Sequence, residues 1–555
     1  MKILFPIDSF KRNKYLLLII LVSLLPIIPY FITEKLIHTH DGLVHLPRLA
    51  AYFHALADGS IPVRYAGYLN YGYGLPLFNF IYQFPYWIGS ALLVVGFGLV
   101  NAFKISITLS FVLSGIFMYM FAKEYFGDVR KAFLVAIFYQ FVPFRMVELL
   151  VRGSYGEVYT YAFLPLTLYG LTLLGKKRSL YGFLVTSISV FLLVVSHNSV
   201  ALMFFVASAL FVLFTFSNIK KIIIAFTSLL FGLGISSFYW LPALLEHRYT
   251  FGDLFMAKLY IGYFPQIQNF FIPNFNNSMS LQTTGITTYI GLFQGLAIIV
   301  SLITLFSKKI IDSKTKRIFY FSFTLIVISF FFMTPISKFI WGGPYGALLR
   351  QFQFPWRFLA LIVLATAILS VSFPIISKRL SKGWAYGLLV FFSILSVSFY
   401  WNASLGYDKI NENYYWNFPL NTTYYGETDV VWSEGPAKSY PKSRIEFTSG
   451  NGKISNFIKK NSSQSFDAEV TEKAEIVSHT EYFPGWTVRI DGVKTPIQFQ
   501  SANHRGEILF NIPKGRHRVT IKFEESKIRV IADLLSVLSL VMILPLVLFR
   551  KKIFS

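Results

Sequence analysis

Tyr15-Leu-Leu-Leu-Ile-Ile-Leu-Val-Ser-Leu-Leu-Pro-Ile-Ile-Pro-Tyr-Phe-Ile32, with His38-Thr-His-Asp-Gly-Leu-Val-His45 a few residues beyond it, decides the fold. The first run is close to the roughly 20 apolar residues that a helix needs to cross a bilayer. It follows Lys11, Arg12 and Lys14, the basic flank expected on the cytoplasmic side. No small-residue cleavage site comes after it, so it reads as a retained transmembrane helix and not a removed signal peptide. The second run places an Asp among imidazoles where the chain leaves the membrane.

Working outward, similar apolar runs recur along most of the chain. Of the 555 residues 54% are hydrophobic, only 14% are charged, and Phe alone fills 60 positions. Soluble surfaces need far more charge, so a soluble fold is excluded. The chain has no Cys, which rules out disulfides, thiolate metal sites and Cys nucleophiles. A net charge of +24 would suit nucleic acid in a soluble protein; here it reads as membrane anchoring, with no nucleic-acid partner.

The charge falls in clusters: Lys123/Arg130/Lys131, Lys176/Lys177/Arg178, Lys220/Lys221, Lys308/Lys309/Lys314/Lys316/Arg317, Lys378/Arg379/Lys382 and Arg550/Lys551/Lys552. If all are cytoplasmic, the positive-inside rule gives one threading. It has twelve transmembrane helices, at 15–33, 104–122, 131–147, 158–174, 180–196, 199–216, 221–242, 287–306, 317–334, 357–377, 384–402 and 528–549. Both termini lie inside, in a plasma-membrane protein that crosses many times. The apolar stretch Phe84–Val100, opened by Pro85 and interrupted by glycines, reads as an interfacial or re-entrant helix.

Residues 403–527 are a different material. Polar residues alternate with β-formers in Arg518-Val-Thr-Ile-Lys-Phe-Glu524, and Trp486-Thr-Val-Arg-Ile490 runs into the hairpin signal Asp491-Gly492. Gly506-Glu-Ile-Leu-Phe-Asn-Ile512 supplies another strand. The expectation is an α-helical polytopic membrane protein with an extracytoplasmic β-sandwich inserted before its last helix. Residues 1–402 form the transmembrane domain, 403–527 the sandwich, and 528–555 the last helix and basic tail.

Ionisable residues inside a bilayer are costly and usually functional. Here they avoid the helix middles and gather at the ends and loops assigned to the outer side: His38, His40, Asp41, His45, Arg48, Glu148, Arg152, Glu157, His197, Glu246, His247, Arg248, Arg350 and Arg357. Asp41, flanked by His40 and His45, can serve as a general base or as an oxygen ligand for a divalent cation, or the Asp-Gly pair is a turn that caps the next helix with the histidines at the interface. Tyr71 and Tyr73, in Asn70-Tyr-Gly-Tyr-Gly-Leu-Pro76, can stack on the apolar face of a sugar or sit in an aromatic belt. Arg152 suits a lipid phosphate, with Glu157 to orient it or a substrate hydroxyl, or the two form a simple ion pair at the outer helix ends. His197 and Glu246 are further candidates at the same chamber. Arg357, in Gln353-Phe-Pro-Trp-Arg357, opposes its helix dipole and so needs an anion, either a polyprenyl phosphate, a headgroup or a nearby Glu.

His40-Asp-Gly-Leu-Val-His45, Tyr71-Gly-Tyr-Gly-Leu-Pro-Leu-Phe-Asn79, Arg152-Gly-Ser-Tyr-Gly-Glu157, Trp240-Leu-Pro-Ala-Leu-Leu-Glu246 and Gln353-Phe-Pro-Trp-Arg357 occur in that order. Together, with Phe483-Pro-Gly-Trp486 of the outer domain, they resemble the family of 6-pyruvoyl-tetrahydropterin synthase-related membrane proteins. Nothing in the residues suggests pterin chemistry. The membrane plan is similar to the GT-C superfamily of glycosyltransferases. That resemblance implies a sugar donor linked to a polyprenyl phosphate, an extracytoplasmic glycan, lipid or protein acceptor, and an acidic residue in the first outer loop that maps to Asp41. It also admits a divalent cation (Mg or Mn) at Asp41, although a lone Asp stands where a paired-acid motif would. A flippase or transporter of lipid-linked saccharide and a non-catalytic cell-envelope assembly factor are the alternatives.

Overall fold

The computed structural model describes residues 14–176, 179–275, 286–307, 311–403, 405–417 and 426–549. Lys11, Arg12, Lys177, Arg178, Lys308, Lys309 and the basic tail Arg550/Lys551/Lys552 lie outside them. In chain order the main helices are α1 (Lys14–Phe31), α2 (Gly42–Ala57), α3 (Phe84–Val94), α4 (Leu99–Phe126), α5 (Val129–Gln140) and α6 (Pro143–Arg152). Then come α7 (Tyr155–Leu174), α8 (Leu180–Val194), α9 (Asn198–Thr215), α10 (Ile219–Ile235) and α11 (Ser237–Tyr249). The set closes with α12 (Leu292–Phe306), α13 (Ser313–Met333), α14 (Pro355–Ile376), α15 (Gly383–Tyr400) and α16 (Lys527–Leu548).

Every one of the twelve apolar segments contains helix, but fewer are long and apolar enough to cross a membrane. Among the described residues seven qualify: α1, α4, α9, α13, α14, α15 and α16. Counting each bent pair as one span raises this to nine, with α5–α6 bent by 57° and α10–α11 by 71°. The first bend follows from Pro143, which has no N–H to continue the ladder and opens α6 at its first turn. Segments α3, α8 and α12 are shorter apolar helices, and α7 carries Glu157 and several Tyr and Thr in its first turns. The stretch expected as one interfacial helix at Phe84–Val100 divides at Gly96 (φ 103°), so that α4 begins at Leu99.

Burial sorts the helices. Every residue of the α14 stretch Leu359–Leu369 is buried, which is why its sequence is apolar on all sides. By contrast α16 leaves Leu534, Leu535, Val537, Leu538 and Leu540 exposed, an apolar periphery suited to lipid contact.

Strand β1 (Leu36–Ile37) pairs antiparallel with β2 (Tyr407–Asp408), tying the loop after α1 to the segment that leads into the sandwich. The separate β region then follows as β3 (Ile445–Ser449), β4 (Gly452–Lys460), β5 (Ser463–Val470), β6 (Ala474–Glu481), β7 (Trp486–Ile490), β8 (Val493–Thr495), β9 (Gln498–Ser501), β10 (His504–Ile512) and β11 (Gly515–Phe523). One sheet runs β3-β6-β10-β9 and the other β4-β5-β11-β7-β8. Alternate apolar side chains fill the space between, among them Phe466, Val488, Val519 and Ile521 with Ile476, Ile508 and Phe510. At the β7–β8 hairpin Asp491 and Gly492 both take positive φ (50° and 83°), the mirror-image turn that the Asp-Gly pair signals.

The sandwich does not hang free of the helices. Tyr65, between α2 and α3, belongs to its apolar core, packing edge-on against Trp486 at 5.2 Å. Arg64, buried, bridges Glu525 at 2.9 Å and Asp533 at 2.7 Å, ahead of and within α16.

Candidate functional site

The first turn of α2 and the end of α6 are joined through their backbones. The His40 N–H donates to the Val151 carbonyl at 3.0 Å, and the Asp41 N–H to the Arg152 carbonyl at 2.9 Å. Thr39 Oγ1 accepts from the Gly42 N–H at 3.0 Å and rests against Gly153. A side chain at Gly153 would collide with Thr39, and its φ of +61° favours glycine in any case. Residues Val147–Arg152 are wound as a π-helix, the wider turn often found where a helix presents functional groups.

That turn aims Glu148 and Arg152 inward. Arg152 donates to both Glu148 carboxylate oxygens at 2.7 Å and to Glu157 Oε2 at 2.9 Å. Arg357 reaches Glu157 Oε1 from Nε at 3.0 Å and from Nη2 at 2.6 Å, and Gln353 Oε1 from Nη1 at 2.6 Å. Gln353 holds that position with a φ of +62°. Trp356 lies under the Arg152 guanidinium at 4.9 Å. His197 Nε2 stands 3.6 Å from Glu157 Oε1; burial drives its pKa down to about 3, so it faces Glu157 as a neutral imidazole. The anion that Arg357 requires is therefore Glu157, the protein-side alternative to a lipid phosphate.

Asp41 sits at the rim of this network. It is half-buried by surface area, and the dense protein around its carboxyl lifts its pKa above the usual carboxylate range. The positive charges of Arg152 and His40 oppose that rise, and the Glu157 charge adds to it.

Below Asp41, one face of α2 carries His45, Arg48 and Tyr52, at the spacing of successive turns. His45 Nδ1 is 2.9 Å from the Tyr86 hydroxyl. Tyr82 stacks on Tyr86 at 5.9 Å and on His197 at 5.4 Å, linking this face to Glu157. Arg48 is buried (9% exposed), makes no ion pair among the described residues, and leaves Nε without a hydrogen-bond partner. A buried guanidinium without a carboxylate is costly, which makes Arg48 the strongest anion-binding signal in the site. The sequence contains that signal as the 41–45–48 spacing; its importance appears only once Arg152 and Arg357 are seen to be neutralised. Tyr52 in turn lines an apolar groove of about 430 Å³ shared with Leu56, Val63, Trp87, Phe238 and Val537.

Other expected site residues lie elsewhere. Glu246 does not join Asp41: it accepts from Arg529 Nε at 3.1 Å, Ser526 Oγ at 2.6 Å and Asn79 Nδ2 at 2.9 Å. Tyr71 and Tyr73 lie in a loop that contacts the β-sandwich, the Tyr71 ring near Tyr440 at 5.7 Å. The Tyr71 carbonyl accepts from Arg444, the Tyr73 carbonyl from the Glu481 N–H at 2.9 Å, and the Tyr73 ring meets His479, so the β-sandwich holds that loop. His38 pairs with Asp408 at 2.8 Å and His247 with Asp253 at 3.3 Å. Arg248 lies over Tyr249 and Arg350 donates to the Trp341 carbonyl.

The donor set at Asp41 does not suit a divalent cation. Glu148 and Glu157 are bound to guanidinium groups. Among the described residues, three His, Asp or Glu side chains come within reach of one ion only in the β-sandwich, not at Asp41.

Comparison with curated proteins gives no match. Residues 78–404, which hold Glu148, Arg152, Glu157, His197, Glu246 and Arg357 but not Asp41 or Arg48, match the family model described as the 6-pyruvoyl-tetrahydropterin synthase related domain, a membrane protein. With more than half of its length matched, the chain belongs to this family of 6-pyruvoyl-tetrahydropterin synthase-related membrane proteins.

Proposed function

We propose that this membrane protein is a GT-C-type glycosyltransferase that moves a sugar from a polyprenyl-phosphate donor to an acceptor hydroxyl on the extracytoplasmic side. The observation that supports it best is the face of α2. Asp41, His45, Arg48 and Tyr52 follow one another from a half-buried carboxylate, past a buried guanidinium with no ion pair among the described residues, to an apolar groove. A lipid-linked sugar has the same sequence of chemistries: a polar sugar, a phosphate and a hydrocarbon chain. In this reading the twelve helical segments all cross or enter the membrane, both termini are cytoplasmic, and the β-sandwich is extracytoplasmic and contacts the acceptor glycan, lipid or protein.

The acceptor oxygen attacks the anomeric carbon as the bond from that carbon to the phosphate oxygen breaks. The acceptor proton passes to the Asp41 carboxylate. The polyprenyl phosphate leaves with the bond's electron pair, and Arg48 stabilises its charge. Arg152, Glu157, Arg357 and His197 form the rigid floor that fixes the start of α2. No step needs a metal.

The test is sugar transfer from a radiolabelled panel of polyprenyl-phosphate sugars into membranes containing the wild type, Asp41→Asn or Arg48→Gln at equal protein levels. Transfer by the wild type that both variants lose supports the reading, with about a hundredfold loss expected for Arg48→Gln. No transfer from any donor, or transfer unchanged in both variants, would overturn it.

A further inference from the structure

A second polar cluster lies on the β-sandwich, away from α2. In β6 and β10 the pairs Glu481–Glu507 and Ser478–Ile508 are adjacent on one strand but leave His479 and Thr480 unmatched on the other. Such a bulge re-aims side chains, and here Gly506, at φ +80°, helps turn Glu507 toward His479. As a result one ligand atom each from His479, His504 and Glu507 lie within 4.8 Å of one another. His479 Nδ1 is 2.6 Å and His504 Nδ1 3.4 Å from the same oxygen, Glu507 Oε2.

A second observation points to a ligand. His479 is 91% buried by its 9% side-chain exposure, and its Nε2 makes no hydrogen bond of ordinary length, only a long contact with one carboxylate. The nearest carboxylate oxygen is Glu446 Oε1, at 3.6 Å. A ring that binds a cation through Nδ1 normally presents its other N–H to a carboxylate, and Glu446 stands on that side of His479.

We propose that His479, His504 and Glu507 form a divalent transition-metal site of the zinc class, with Glu446 as the carboxylate that orients His479. This proposal is independent of the glycosyltransferase reading. Two imidazoles and one carboxylate favour zinc over magnesium or calcium, which prefer all-oxygen shells. The three ligands leave a fourth position open, and the partial exposure of His504 (26%) and Glu507 (19%) gives an ion access from solvent. Tyr73 packs edge-on against His479 at 5.8 Å. The ion therefore braces the sheet where it grips the Asn70–Gly74 loop, linking metal loading to the seating of the sandwich on the helices.

The experiment uses the full chain in detergent, stripped with chelator and titrated with Zn²⁺ against a chromophoric competitor, with thermal unfolding measured beside it. The wild type should bind one equivalent and gain thermal stability with it. His504→Ala and Glu507→Gln, at partly exposed positions, should fold and lose the equivalent together with the zinc-dependent rise in Tm. Glu446→Gln should weaken binding about tenfold, and Asp41→Asn should bind as the wild type does. No stoichiometric zinc in the wild type, or an equivalent that survives both His504→Ala and Glu507→Gln, would overturn the proposal. An equivalent lost only in Asp41→Asn would also overturn it, by moving the ion to α2.

Discussion

Glu157 and Glu246 are both buried carboxylates against buried guanidinium groups, but they end in different kinds of environment. Glu246 has one guanidinium, one hydroxyl and one amide directed at it, and Arg529 is further anchored by the Glu524 and Pro484 carbonyls. That is a closed lock between α11, α16 and the sandwich. Glu157 is shared by two guanidiniums, faces His197, and lies within electrostatic reach of the half-buried Asp41. Burial and charge pairing are therefore common to both carboxylates and do not by themselves tell a reactive one from a structural one. In the proposed reading what distinguishes Glu157 is the company of Asp41 and, on the next helix face, of Arg48, whose Nε has no hydrogen-bond partner.

The sharpest way to break this contrast is Asp41→Asn, which keeps the shape and removes the base. If the Glu157 region is the reactive one, sugar transfer falls about a thousandfold while thermal unfolding in detergent is nearly unchanged. Transfer at wild-type rates would make both regions structural. Glu246→Gln should do the reverse. Removing one partner of a buried ion pair costs about 3 kcal/mol, so the melting temperature drops markedly, while transfer per folded molecule stays at the wild-type level. Loss of transfer without loss of stability would put Glu246 back in the site.

The contrast was only half legible in the sequence. Apolar runs and basic clusters report local composition, so the helical segments could be found. How many of them span could not, because the 71° break at Ser236 has no proline to announce it. The strands of the sandwich showed through their alternation and the Asp491-Gly492 turn. The Arg152–Glu157 and Gln353–Arg357 contacts lie close along the chain, and their motifs were visible. The partner of Glu246, Arg529, is 283 residues away, and that of His38, Asp408, is 370 away. No local pattern links such pairs, so Glu246 looked equivalent to Glu157. The loop of Tyr71 and Tyr73 shows the same limit: its contacts with Arg444 and Glu481 join residues nearly 400 positions apart.

A third measurement sharpens the comparison through pH. Burial raises the pKa of Asp41 above its ordinary value of about 3.9. A base must be deprotonated, so transfer should be lost as pH falls through the raised pKa, while the pH is still above the usual carboxylate range. Below that limb the rate should fall about tenfold per pH unit. An acid limb at or below pH of about 3.9 would mean that Asp41 is not the titrating group.

The smallest effect expected is at the junction of the two regions. Tyr65 donates from its hydroxyl to the Glu481 carbonyl at 2.7 Å and lies near the Tyr73 carbonyl at 3.2 Å, with its ring in the sandwich core. Tyr65→Phe keeps the ring packing against Trp486 and Phe523 and deletes only the hydroxyl, at a cost of about 1 kcal/mol. The melting temperature should fall slightly and transfer should not change, because the hydroxyl secures the sandwich and not α2. If transfer falls in Tyr65→Phe while stability barely moves, then the seating of the sandwich tunes the reactive face. The two regions would be coupled through the 63–80 loop, and Glu246 and Glu157 would be parts of one device.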